Sequence, residues 1–273
     1  MAPLADETLS LLRGAYVGTL IGGLVFFLLW EGGAPRVAFG SAPERRRHVL
    51  RNLGMLLLVV LIADFVVGAW LLGTVTRIGA PAPGWLSRFE LAWPALLGIG
   101  IVAIDLFQYW WHRACHAVPW LWRLHRVHHS DTHLDVTTGA RFHAVESSLG
   151  IALLVGAMLL AGIPLWVELV RTIAVNPLIM AQHANVSFPR WLERAARPVL
   201  ATPEFHRVHH SRLRAEQDSN FGQMFSVWDR LFGTWRTPPA STGQIGVEGL
   251  DAERFQTVGG MCATPFLRAR GEA

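Results

Sequence analysis

The chain has no lysine, only two cysteines and a small share of charged residues, and each scarcity excludes something. Cys115 and Cys262 are too few for a disulfide framework or for an iron–sulfur cluster held by thiolates. All 24 basic side chains are arginines, which is typical of a bacterium with a GC-rich genome. The arginines are scattered or flank apolar runs, so the net charge of +4 predicts no nucleic-acid partner.

Hydrophobic sequence dominates instead. Hydrophobic residues fill 52% of the 273 positions and charged residues 16%, a composition typical of membrane proteins. Residues 147–181 would overshoot a bilayer as one helix, and Gly162 and Pro164 near their middle predict a broken helical hairpin. Three further runs have about the length of a spanning helix: residues 15–30, 53–75 and 91–111. We expect an all-α, polytopic integral membrane protein with about three spanning helices plus this hairpin.

The arginines predict how these segments are oriented. The connection between the first two runs holds five of them: Arg36, Arg45, Arg46, Arg47 and Arg51. The positive-inside rule places this connection in the cytoplasm. The third run then returns the chain to the cytoplasm at His112, and the hairpin returns it again at His183. We expect a cytoplasmic, histidine-rich helical cap on a protein of the bacterial inner membrane.

Histidine is the most informative residue type in the chain. Eight of the twelve histidines fall in three clusters, HRACH at 112–116, HRVHH at 125–129 and HRVHH at 206–210. Residues three and four apart share a face of an α-helix, so each cluster presents several imidazoles together. Imidazole is the commonest neutral metal ligand, and a zinc site needs at most four ligands. The clusters therefore predict two metal ions. The Glu and Glu-x-x-His pattern of soluble carboxylate-bridged di-iron proteins is absent.

The segments around these histidines resemble a known family, the membrane fatty acid hydroxylase and sterol desaturase superfamily. The resemblance covers roughly residues 95–236 and is closest to the sterol desaturase branch. It is carried by six segments in order: DLFQYWWHRACH (105–116), LWRLHRVHHS (121–130), ARFHAVE (140–146), QHANVSFP (182–189), TPEFHRVHHS (202–211) and SNFG followed by WDRLFGT (219–222, 228–234). Ordered motifs of this density are highly specific.

The resemblance implies a non-haem di-iron centre that uses O2 and external electrons to hydroxylate a lipid. His143 and His183 occupy the family's RFH and HAN positions. His133 matches no family histidine and His48 lies in the arginine-rich loop, so neither is included among the ligands. The implied metal ligands are His112, His116, His125, His128, His129, His143, His183, His206, His209 and His210. The implied partners are a membrane lipid, O2 and a separate electron donor, because the chain shows no electron-carrier domain of its own.

Three more polar residues are candidates for supporting the metal ligands. Asp105 shares a helical stripe with His112 and His116, so its carboxylate is placed either to orient an imidazole or to form a helix-packing hydrogen bond. Glu146 follows His143 by three positions, and Asn185 follows His183 by two. We predict that Asp105, Glu146 and Asn185 support the metal ligands.

The resemblance also suggests a division of the chain. Residues 1–90 hold N-terminal membrane helices and the arginine-rich loop, and residues 91–237 form a fatty acid hydroxylase-like catalytic domain. Residues 238–273, rich in Gly, Pro, Ala and Thr, are expected to form a loosely ordered tail.

The motifs leave other activities open. Desaturation and oxidative cleavage of an ether lipid use the same kind of centre, and only the placement of the substrate separates them from hydroxylation. A metal transporter or a haem-binding electron carrier is a more distant alternative. Both would place ionisable residues or histidine pairs inside the spans, whereas these histidines gather beyond the ends of the apolar runs.

Overall fold

The computed structural model describes residues 6–68, 84–237 and 243–267. Within these ranges the chain forms helices and loops, with two isolated β-bridges and no strand. A π-helical segment, Val60–Gly68, continues α2. The α-helices are α1 (Asp6–Gly33), α2 (Ala42–Val59), α3 (Trp93–Ala117), α4 (Pro119–His129), α5 (Ala144–Ala161), α6 (Leu165–His183), α7 (Arg190–Ala196), α8 (Pro203–His209), α9 (Arg214–Gln217), α10 (Val227–Leu231) and α11 (Val258–Ala263).

The predicted all-α membrane architecture is confirmed. In the described parts of the chain, three helices are long and apolar enough to cross a membrane, namely Glu7–Gly33, Trp93–Ala117 and Ala144–Ala161. In the most apolar stretch of the first of these helices, only 6% of the residues are buried inside the protein. The hydrophobic side chains of this helix therefore face outward, as lipid contact requires. The predicted run at 53–75 is helical from 53 to 68, and its remainder lies outside the described residues.

The predicted break between α5 and α6 falls at Gly162–Pro164. Gly162 has a φ of 77°, the left-handed conformation that ends a helix, and its amide donates to Leu159 O. The backbone of Gly84 packs so closely here that a Cβ on Gly162 would lie 3.1 Å from Gly84 Cα. Glycine at position 162 therefore meets both a conformational and a steric requirement.

Gly162→Ala is expected to destabilise the protein by about 1–2 kcal/mol, because alanine strains the left-handed backbone and crowds Gly84. Gly156→Ala is the matched control, since it lies inside α5 and its added Cβ would meet no atom within 4 Å. Thermal denaturation in detergent measures both variants. A Gly162→Ala variant as stable as Gly156→Ala would contradict this account of the break.

Helix α3 is the central element of the bundle. It packs against both α5 and α6, and these two helices pack on α3 more than on each other. Ile104 of α3 shares a core with Leu154 of α5 and Val167 of α6. Gly100 brings α3 so close to α6 that an added Cβ would lie 2.6 Å from Val167 Cγ1. The C-terminal end of α3, which carries His112 and His116, is thus fixed by helices on two sides.

The expectation of a loosely ordered C-terminal tail does not hold for residues 243–267. Met261 of α11 is fully buried against Met55 of α2 and Val127 of α4. The side-chain amide of Gln256 donates through Nε2 to the Ser130 carbonyl at 3.0 Å, beside the second histidine cluster. A few apolar residues in a sequence otherwise rich in glycine and alanine are enough to order this segment, because α2 and α4 together offer them a buried surface.

Candidate metal centre

Nine histidines converge at one end of the helix bundle. Helix α3 ends there with His112 and His116, and α6 ends there with His183. The short helices α4 and α8, each begun by a proline in its first turn, supply the two HRVHH segments. The nine form two groups. The five-histidine group is His112, His116, His125, His129 and His209, and the four-histidine group is His128, His183, His206 and His210.

Each HRVHH segment serves both groups. His125 and His129 of α4 belong to the five-histidine group, whereas His128 belongs to the four-histidine group. Adjacent helical residues project about 100° apart, so His128 and His129 point in different directions. In the second segment His209 joins the five-histidine group, while His206 and His210 join the other. The prediction that all histidines of a motif face one way was too simple, since the motif joins two neighbouring sites.

The two groups touch. The ring centroids of His129 and His210 lie 4.6 Å apart with their planes 23° from parallel. The ring centroids of His206 and His209, which also belong to different groups, are 5.1 Å apart. Within each group, one possible ligand atom per residue lies within 4.8 Å of all the others. The arrangement can hold two metal ions close together.

The outer nitrogens of the five-histidine group are held by acceptors. His112 Nδ1 donates to Phe221 O at 2.9 Å, and His209 Nδ1 donates to Ser219 O at 2.7 Å. A carbonyl can only accept, so these nitrogens carry the proton and the Nε2 atoms keep their lone pairs. The buried Nε2 atoms of both residues have no hydrogen-bond partner in the structure. Such lone pairs, aimed inward and unsatisfied, are what a metal ion requires.

Two carboxylates accept hydrogen bonds from further Nδ1 atoms of this group. Glu146 Oε1 accepts from His125 Nδ1 at 2.6 Å, and both side chains are buried. Asp218 Oδ1 accepts from His116 Nδ1 at 3.1 Å, but the Asp218 side chain is 38% exposed. Carboxylates in this position fix the tautomer and the ring orientation of a metal-binding histidine and make it more basic.

In the four-histidine group one imidazole, that of His183, is held by a carbonyl in the same way. His183 Nδ1 donates to Ile179 O at 2.8 Å, which leaves a lone pair on His183 Nε2. That atom lies 3.3 Å from His128 Nε2 and 3.0 Å from His206 Nε2. His210 Nε2 lies 3.1 Å from His206 Nε2. Four buried imidazole nitrogens this close to one another fit a shared cation, and their chemistry suits iron, zinc or copper.

Electrostatics keep these imidazoles neutral. Burial, followed by the proximity of other imidazoles, holds the pKa of His128 and His206 well below the usual value for histidine. The same causes lower the pKa of His129, His209 and His210. Neutral imidazole is the form that binds metal, so the site is prepared for ligation at neutral pH.

Nine of the ten predicted ligands lie in the two histidine groups, and one does not. His183 joins the four-histidine group, but His143 lies in neither group. The His143 side chain instead caps α5, where its Nδ1 accepts from the Val145 amide at 3.3 Å. The signal that misled the sequence reasoning was position within a motif, which does not report the direction of the side chain.

The three supporting residues have different roles. Glu146 contacts an imidazole directly, although of His125 and not of its sequence neighbour His143. Asp105 accepts from the amides of Met224 and Phe225 and from the Trp228 indole, so it holds the loop after α9 and touches no imidazole.

Asn185 also acts away from the nine converging imidazoles, although its Nδ2 lies 3.3 Å from His133 Nε2. Its Oδ1 accepts from the Val37 amide at 2.9 Å, and its Nδ2 donates to the Val37 carbonyl at 2.7 Å. The Asn185 amide donates to Glu31 Oε1. These bonds join the end of α1 to the segment after His183.

A polar network that the sequence did not reveal supports the same end of α4. His48 of α2 lies between Asp131, at 2.8 Å, and Asp135, at 3.0 Å. Burial alone would lower the pKa of His48, but the two carboxylates outweigh it and raise the pKa to about 10. Arg141 is fully buried beside them and donates to Val127 O at 2.9 Å. His48 was set aside as a metal ligand, and the structure gives it this bracing position instead.

An apolar helical bundle that ends in two adjacent groups of imidazoles able to hold metal ions is the architecture of a membrane protein with a candidate metal centre. The fatty acid hydroxylase model matches residues 97–234, and the chain belongs to this family, within the superfamily that its motifs indicated. The match spans α3 through α10 and therefore all nine converging histidines.

Curated relatives agree with this assignment. The ornithine lipid hydroxylase OlsE of Rhizobium tropici is 34% identical over 188 residues, 67% of this chain and 54% of that protein. The cholesterol 25-hydroxylase-like protein of Danio rerio is 31% identical over 57% of this chain and 59% of its own length. The alkylglycerol monooxygenase of Homo sapiens is 27% identical over 54% of this chain and 32% of its own length. The chain thus spans about half or less of the length of most of these relatives. No solved structure matches it significantly.

Proposed function

We propose that the chain is a membrane-bound, non-haem di-iron oxygenase that hydroxylates a C–H bond of a lipid. The observation that carries the proposal is the pair of adjacent imidazole groups, whose buried Nε2 atoms face one another while their Nδ1 atoms on His112, His183 and His209 donate to carbonyls. The family, and the names of its relatives as hydroxylases and monooxygenases, support iron and oxygen chemistry.

The residues of the site divide the work among them. Two iron ions, one in each group, would supply the activation of O2 with two electrons from outside. The protein holds the imidazoles in one tautomer, excludes water by burial and keeps the ligands neutral. Because imidazoles carry no charge, they leave the positive charge of the ions largely uncompensated, which suits the binding of oxygen and its anions.

A lipid can approach from the membrane side. Phe142 is half-buried and stacks on His128 of the four-histidine group, with ring centroids 4.4 Å apart and planes 9° from parallel. It lies directly before α5, one of the three spanning helices, whose Val145 is exposed. This apolar route reaches the imidazoles without crossing the charged cap. We further propose that the cap faces the cytoplasm of a bacterial inner membrane, because the positive-inside rule favours that side for the arginine-rich connection.

Lipid analysis tests the activity. Membranes of a host expressing the chain are expected to contain a lipid that gains one oxygen atom relative to the host without it, and the oxygen comes from isotopically labelled O2. Mass spectrometry of the extracted lipids measures both. Loss of two hydrogens would instead identify a desaturase, and a released aldehyde with a free glycerol hydroxyl would identify ether cleavage. An unchanged lipid profile together with a metal other than iron would overturn the proposal.

Ether cleavage is the second candidate, because several relatives of the chain are named alkylglycerol monooxygenase. Their identities of 27% to 31% lie below the 34% to the ornithine lipid hydroxylase, which favours hydroxylation of a lipid C–H bond. Supplying an alkylglycerol and a diacyl lipid side by side to the purified protein separates the two reactions.

A further inference from the structure

One aromatic side chain links the five-histidine group to the surface of the cap. The Trp122 indole of α4 lies with its ring centroid 5.0 Å from that of His116, 5.6 Å from His129 and 6.5 Å from His125. Trp122 is partly exposed, whereas His116, His125 and His129 are buried. A single ring therefore spans the distance from solvent to three imidazoles of one group.

A charged side chain lies against the outer face of the Trp122 ring. The Arg214 guanidinium lies 4.3 Å from the Trp122 ring centroid, close enough for a cation–π interaction. Arg214 also pairs with Asp218 at 2.6 Å and donates to the His116 carbonyl at 3.2 Å. The side chain of Arg214 is 51% exposed, and its neighbour Leu213 is exposed as well. The surface outside Trp122 thus combines an apolar side chain with an ion pair whose more exposed member is the arginine.

The other aromatic rings beside the imidazoles do not offer such a surface. Phe221 contacts His112, His116 and His209, but it is only 3% exposed. Phe142 is partly exposed, yet it lies beside the membrane helix α5. Indole is also oxidised and reduced more easily than a phenyl ring. Among the described residues, Trp122 is the aromatic side chain that connects the imidazoles with the charged cap.

We propose that Trp122, with Leu213, Arg214 and Asp218 around it, is the docking and electron-entry site for a one-electron carrier protein with an acidic surface. The inference rests on the proposed oxygenase function. Hydroxylation consumes one lipid C–H bond, one O2, two electrons and two protons, and it yields one C–OH and one water. Two reduced carriers would each lose one electron at this surface, and the protons come from solvent. The net charge of +4 favours an acidic partner, and the Arg214 guanidinium, which is more exposed than the Asp218 carboxylate it pairs with, offers that partner a cation.

Reduction kinetics of the iron-loaded protein test the route. The readout is the rate at which a reduced plant-type ferredoxin, an acidic one-electron carrier, is oxidised by the protein, divided by the rate with dithionite for the same variant. Trp122→Phe is expected to lower this ratio several-fold. Trp120→Phe is the matched control, because Trp120 is an exposed tryptophan of the same helix. An equal ratio in both variants, or no oxidation of ferredoxin by the unaltered protein, would overturn the docking site.

Charge at the surface is tested separately. Arg214→Gln is expected to slow ferredoxin oxidation about tenfold at low ionic strength, with the difference shrinking as salt is added. Arg254→Gln, which removes another exposed arginine, is expected to leave the rate unchanged. A rate that does not depend on salt would contradict the acidic carrier. Dithionite-driven hydroxylation by the unaltered protein keeps the two proposals apart, since its absence would overturn the proposed function, whereas its presence with a normal Trp122→Phe ratio would overturn the docking site alone.

Discussion

Replacing His128 by alanine is expected to remove about one of two iron ions per chain and to lower turnover by more than about a hundredfold. His128 supplies one of only four imidazoles to its group, and its Nε2 lies 3.3 Å from His183 Nε2. Without it, three ligands remain to hold the second ion, while all five histidines of the other group stay in place. Metal analysis of the purified protein, combined with the lipid assay, measures both effects.

His133→Gln is the matched control for this experiment. His133 lies five positions further along the chain, beyond the end of α4, where it stacks on Phe39 with ring centroids 3.7 Å apart and belongs to neither histidine group. Its iron content is expected to equal that of the unaltered protein. His143→Gln is expected to behave in the same way, because His143 caps α5. Full iron content in His128→Ala, or loss of an ion in His143→Gln, would show that the groups are assigned wrongly.

Local sequence spacing was sufficient to predict the histidine clusters. His112 and His116, four residues apart, share a face of α3 and enter the same group, as helical periodicity requires. Hydrophobic runs were sufficient to predict α1 and α3 as spanning helices, and Gly162 was sufficient to predict the end of α5, which was expected as one arm of a hairpin and is itself long enough to span. Each of these features depends on residues within a few turns of one another.

Features that depend on contacts between distant segments could not be predicted in this way. The division of HRVHH between two groups depends on how α4 and α8 face each other, and nothing in the motif states it. Asp218 reaches His116 across 102 positions of sequence, and Gln256 reaches Ser130 across 126. Helical periodicity also placed Asp105 on the same face of α3 as His112. Its carboxylate, however, accepts hydrogen bonds from two backbone amides and an indole of a distant loop.

Removing the carboxylate of Glu146 is expected to weaken metal binding in the five-histidine group by about 10- to 100-fold. Glu146 Oε1 accepts from His125 Nδ1 at 2.6 Å, and both side chains are almost fully buried. Glu146→Gln keeps an acceptor for the proton but loses the charge, so we expect it to lie near the lower end of this range. Glu146→Ala loses both and leaves His125 Nδ1 buried without a partner, so we expect it to lie near the upper end.

Asp218→Asn provides the comparison, because Asp218 accepts from Nδ1 of another histidine in the same group. Its bond to His116 is longer, at 3.1 Å, its side chain is 38% exposed, and Arg214 already neutralises its charge. Solvent screens an exposed carboxylate, so its loss is expected to weaken iron binding less than the loss of Glu146. Titration of the metal-free protein with Fe(II) under anaerobic conditions gives the affinity of each group. If Asp218→Asn binds iron more weakly than Glu146→Gln does, burial does not decide which carboxylate controls the site. The role of orienting the imidazoles would then belong to the exposed Asp218.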